Sequence, residues 1–176
     1  MRFTRSFVVL AAAIAGLSAS ASAQTKPLSL DDAQAMAQAA ADTCHAAGLK
    51  VTVVIVDSLG KPKFILREDF KGPSTFETAQ LKAYTAMLFS RPSGQNLPAG
   101  GLGHYTPTVT PGVTRSRGGV PVIVGGITIG AIGVAGAHQG DHDEICALAG
   151  LTKVAEKLGA KTFTLQPPLV GGSTEE

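Results

Sequence analysis

Nine consecutive residues, Ile127 to Ala135, read Ile-Thr-Ile-Gly-Ala-Ile-Gly-Val-Ala and carry no charge. A strand with one wet face alternates apolar and polar side chains, whereas this run is apolar at both parities from Ile129 onward. It therefore predicts a strand covered on both faces, at the centre of a sheet. Gly119–Val124 and the dipeptide Gly125-Gly126 precede it and complete a hairpin. A second hairpin is read in Val51–Val56, the turn Asp57-Ser58-Leu59-Gly60, and Lys61–Leu66. Pro62 places that second strand at an edge, or begins it where a missing N–H does no harm. Asp57 and Gly60 read as turn residues, one accepting backbone N–H bonds and the other supplying a positive φ.

Three helices are expected around these hairpins. Ser29 and Asp32 resemble a capping box, and Ala33, Met36, Ala37, Ala40, Cys44 and Ala47 recur at helical spacing up to Gly48. Ser74 and Glu77 form a second capping box ahead of a face carrying Phe76, Ala79, Gln80, Ala83, Tyr84, Met87 and Leu88, closed near Ser90 by Arg91-Pro92. Asp143–Leu158 carries the third, ended by Gly159. Between Ser93 and Gly119 the chain is rich in Gly, Pro and Thr, a long irregular loop of the kind more often functional than not. The order helix, hairpin, helix, loop, hairpin, helix describes an α+β domain with antiparallel strands.

The ends of the chain read differently. Arg2 and Arg5, an apolar run from Phe7 to Leu17, and Ala21-Ser22-Ala23 have the order of a secretory signal peptide, so residues 1–23 are expected to be removed on export to the periplasm or the medium. The run is short for a membrane span of about 30 Å of hydrocarbon, and no anchor is expected after cleavage. Residues 24–165 then form one domain and 166–176 a poorly ordered tail. Without Arg2 and Arg5, 13 Lys and Arg stand against 13 Asp and Glu, so charge gives no support to a nucleic-acid partner. Cys44 and Cys146 either pair, if the first and last helices pack antiparallel, or stay buried as thiols.

Four segments carry a family resemblance: Val53–Gly60, Lys82–Ser93, Gly118–Pro121, and Ile129–Gly136 followed by Asp143-Glu144. In this order they resemble the GlcG and HbpS family of haem-binding proteins and are similar to the C-terminal domain of PduO-type adenosyltransferases. The resemblance implies a profilin-like or PAS-like antiparallel sheet of about five strands flanked by helices. It also implies homo-oligomers, haem as cofactor, and a role in haem sensing or degradation.

On that footing, Lys82 and Arg91 are candidates for an acidic group such as a propionate, with Arg67 of lower weight beside Arg115 and Arg117. Solvated helix lysine is the plain alternative for Lys82, and charge at a helix C-terminus for Arg91. Met87 and Phe89 are expected against the macrocycle. His104 and Tyr105, in the long loop, are the expected axial ligands, with His104 as the metal ligand. His138 and His142, with Asp141, Asp143 and Glu144, also have the residue types of a metal site, although acids gather at a helix start in any case. Covalent c-type haem is excluded, since Cys-x-x-Cys-His is absent. A second reading is an enzyme or accessory factor that holds a small organic acid with Lys82, Arg91 and Asp57.

Overall fold

The computed structural model describes residues 26–69, 72, 74–95, 112–137 and 140–165. The expectations for residues 1–23 and 166–176, and for His104, Tyr105 and His138, lie outside the described residues. Among the described residues seven elements follow one another: α1 (Leu30–Ala46), β1 (Thr52–Asp57), β2 (Pro62–Arg67), α2 (Ser74–Phe89), β3 (Gly119–Val124), β4 (Ile127–Ala135) and α3 (Gly140–Leu158). The strands form one antiparallel sheet in the order β2-β1-β4-β3. The described residues hold four strands where about five were expected, with an isolated bridge between Val124 and Ala160 beyond them.

The doubly apolar run is an interior strand, β4, paired with β1 on one side and β3 on the other. From Ala131 onward its side chains part by parity, while Ile129, beside a register shift in β3, joins the α1 and α3 face. Ile132 and Val134 join Val53, Ile55, Val120 and Val122 under α1 and α3, whereas Ala131 and Ala135 join Val54 and Val56 under α2. Pro62 opens β2, an edge strand, where its lack of an N–H costs no ladder bond.

The first face is held at both ends of its helix pair. Ser29 Oγ accepts the Asp32 N–H at 3.1 Å and caps α1. Asp32 Oδ1 accepts a bond from Lys157 Nζ, near the end of α3, at 2.6 Å. At the other end Cys44 and Cys146 are joined in a disulfide across 102 residues of sequence, so α1 and α3 run antiparallel and the paired reading of the two cysteines holds.

Helix boundaries differ in two places. α3 begins at Gly140, three residues before its expected start, because Asp143 turns inward and does not cap the helix. α2 ends at Phe89, and Ser90 leaves it with φ 53°, a left-handed exit that removes the chain from the helix before Arg91-Pro92. No helix among the described residues is long and apolar enough to cross a membrane.

Candidate functional site

α2 is the element on which the site is built, because each of its sides meets a different environment. Ala79, Ala83 and Ala86, spaced by four and three residues, are fully buried on the sheet. Such small side chains let the helix lie close to β4: a Cβ at Gly133 would collide with the Ala79 carbonyl and meet the Ala83 nitrogen at 2.6 Å. Ser74, Thr75, Thr78 and Lys82 line a cavity of about 570 Å³ on one flank. Glu77, Gln80, Leu81 and Tyr84 line a cleft of about 390 Å³ on the other.

Lys82 is only 2% exposed, which overturns the reading of a solvated lysine. Its Nζ donates to Asp143 Oδ2 at 2.6 Å and to the Val134 carbonyl at 2.9 Å. Asp143 is buried too, and its Oδ1 accepts the Ala137 N–H at 3.0 Å. The acidic group awaiting Lys82 is thus the chain's own, and the pair ties α2 to α3 and to the end of β4. Beside it, Arg117 bonds Glu144 through Nε at 2.7 Å and Asp141 through Nη1 at 2.9 Å. Glu144 is 1% exposed, and its Oε1 has no partner among the described residues. Asp141, Asp143 and Glu144 are each paired with a cation, His142 is exposed, and no group of three or more potential metal ligands gathers among the described residues; His138, the other histidine of that reading, lies outside them.

The remaining wall of the larger cavity is Ser116, Ala135, Gly136 and Gly140 with Gly72. Hydroxyls and glycines dominate it, around cations already neutralised. The smaller cleft lies between α2 and the β1–β2 turn, with Gly60 and Lys61 on one side and Gly112 on the other. Asp57 shapes that turn as its sequence suggests. Its Oδ1 accepts the Leu59 and Lys61 N–H groups at 2.9 and 3.0 Å, and Gly60 takes φ 72°. With its carboxylate so engaged, Asp57 is a turn residue and is not part of an acid-binding pocket with Lys82.

The other expected site residues are scattered. Met87 is half-buried against the α2 side of the sheet, and its Cε lies near Gly60 at the edge of the cleft. Arg91 follows the end of α2 and is half-buried. Arg67 ends β2, six residues and about 20 Å of extended strand from Lys61, so the hairpin carries it away from the cleft. Tyr84 was read only as one member of a helical face. Its place in the cleft wall depends on the hairpin turn reaching over α2, which local periodicity does not encode.

The profile of the family described as "Haem degrading protein HbpS-like" matches residues 28–152. The chain belongs to this family. A crystal structure of HbpS superposes with a TM-score of 0.66 at 36% identity, covering 73% of this chain and 91% of that one. A double mutant of HbpS from Streptomyces reticuli gives the same TM-score at 31% identity, over 85% and 97% of the two chains. The structure of a PduOC haem complex, at 22% identity, shares the fold, with a TM-score of 0.65 over 79% of this chain and all of that one. No curated protein matches the sequence. The matched region of this HbpS-like chain contains every element described above except the last turns of α3 and the residues after it.

Proposed function

We propose that this chain is an exported haem-binding protein and that the cleft between α2 and the β1–β2 turn receives the macrocycle. The observation that carries the proposal is the family match across residues 28–152, supported by relatives whose names or titles refer to haem. The two hollows that flank α2 among the described residues differ in how well they suit a flat, largely apolar ligand with carboxylate arms. The larger one does not, because its charges are already paired and its walls are hydroxyls. The smaller one does: Tyr84 and Leu81 offer apolar surface, Gly60 and Gly112 keep neighbouring walls low, and Lys61 supplies a cation for a propionate. Its volume of about 390 Å³ falls within the range of about 300–1,000 Å³ common for small-molecule sites.

When bound, haem would supply an iron centre that protein side chains can ligate. Leu81, the Tyr84 ring and the edge of Met87 would exclude water from one side of the macrocycle. His104 and Tyr105 remain proposals for the iron; in sequence they precede Gly112, which lines this cleft. Arg91 remains a proposed partner for the second propionate. Lys82 has a different part: paired with Asp143, it holds α2 in place and touches no ligand in this cleft.

Export rests on the signal-like residues 1–23, and a Cys44–Cys146 disulfide is at home in an oxidising compartment. Homo-oligomeric assembly belongs to the same proposal and is measured by elution volume. Hemin added to the purified chain is expected to give a shifted Soret band saturating at a fixed stoichiometry, altered by His104→Ala. A spectrum identical to free hemin rejects the proposal. A band that bleaches with time assigns degradation, and one that persists assigns storage or sensing.

A further inference from the structure

Tyr84 is the aromatic side chain in the wall of the smaller cleft. A Cβ at Gly60 would stand 2.6 Å from Tyr84 Cδ2 and 2.8 Å from Cε2, so any side chain there would push the ring aside, whereas one at Gly112 would meet Cδ1 and Cε1 at an ordinary contact distance of 3.7 Å. Gly60 has a positive φ of 72°, which lets the turn backbone lie directly against the ring. The hydroxyl of Tyr84 makes no hydrogen bond among the described residues. A phenol seated against a turn at the wall of the cleft, its oxygen without a partner among the described residues, is available as a ligand atom.

The described histidines do not compete for this place. His45 is exposed and stands 3.3 Å from Glu68, and His142 is exposed at the start of α3; neither lines the cleft.

From this geometry we infer that Tyr84 Oη ligates the iron of haem bound in the cleft, as a phenolate. The inference rests on the haem reading above and adds the ligand atom to it. On ligation the O–H bond breaks and an oxygen–iron bond forms, with the proton passing to the Glu77 carboxylate on the same wall or to water. Iron stays ferric, so no oxidant or reductant is needed. Tyrosinate is an established class of haem ligand.

The sequence makes the test sharp, because it contains two tyrosines, Tyr84 and Tyr105. Resonance Raman spectra of the ferric-hemin complex of the full chain report iron–phenolate modes directly. The signature is expected in the unaltered protein and in Tyr105→Phe, and is lost in Tyr84→Phe, whose hemin affinity falls by about tenfold. Tyr84→Phe keeps the ring; if it nevertheless fails to fold, Tyr84→His is expected to exchange the phenolate signature for an imidazole one. A signature that survives Tyr84→Phe, or is absent from unaltered protein that binds hemin, overturns the inference and leaves the haem reading standing. Unaltered protein that leaves the hemin spectrum unchanged overturns both.

Discussion

On one face of the sheet Val53, Ile55, Ile132 and Val134 pack against two helices that a disulfide and an ion pair lock together. On the other face Val54, Ala131, Gly133 and Ala135 lie under one helix, close-packed through Ala79 and Ala83, with a hollow on either flank. The first face gains from bulk and covalent closure. The second gives up side-chain volume so that α2 can approach the sheet, and α2 is then fixed by one buried ion pair and some loop contacts. Thr85 Oγ1 accepts the Thr114 N–H at 2.9 Å, which anchors the returning loop to the same helix. Rigidity on one side and a small-residue, polar-fixed helix on the other is a division that lets a cleft form without loosening the core.

Perturbing each face in turn tests this division. Reduction of Cys44–Cys146, or the double change to serine, should have the largest effect: closing a loop of 102 residues is worth about 4.7 kcal/mol in the chain-entropy picture. Thermal unfolding with and without reductant reads it, and an unchanged midpoint would mean that the α1–α3 face does not depend on its covalent link. Next comes Lys82→Met, which leaves Asp143 buried without its partner and should cost about 3–5 kcal/mol in chemical denaturation. Adding Asp143→Leu should restore most of that loss; if the double variant is no better than the single one, the pair does more than satisfy itself. Gly133→Val presses a side chain against the α2 backbone and should cost about 1–3 kcal/mol, with α2 losing hydrogen-exchange protection before α1 does.

The smallest effect concerns pH. The hydrogen bond from Lys157, with that from Ser29 second, holds the Asp32 carboxyl below its usual range. A depressed carboxyl stabilises the fold above its unfolded value near 4 and loses that contribution as pH falls through the folded one. Lys157 is raised by the same bond, so its share is present below its ordinary value and fades as pH rises past it. Asp32→Asn should therefore lower the midpoint at neutral pH and converge with the unaltered protein in acid. Because Lys157 is largely exposed, its replacement by alanine should lower the neutral midpoint only slightly, and by less than Asp32→Asn, which also weakens the Ser29 bond.

Much of the architecture was legible because it is local. The parity of Ile129–Val134 placed β4 in the interior, Pro62 placed β2 at an edge, and Ser29 with Asp32 marked where α1 begins. What the sequence could not reveal depends on partners far along the chain. Lys82 has the look of any helix lysine until Asp143, 61 residues later, is brought against it. Asp143 in turn resembles an ordinary acid at a helix start, and that likeness set the expected start of α3 three residues late. The pairing of Cys44 with Cys146 stayed open for the same reason, since only the antiparallel packing of α1 and α3 decides it. Tyr84 gave no local sign of its role, because the glycines beside it come from a turn and a loop on either side of its helix.

Hydrogen exchange of the full chain with and without hemin measures the central claim, that the ligand belongs to the α2 side. Added protection is expected in the β1–β2 turn at 58–62 and along 77–88, with α1 and α3 unchanged. Protection confined to α1 and α3, with 58–62 and 77–88 unaffected, would contradict it.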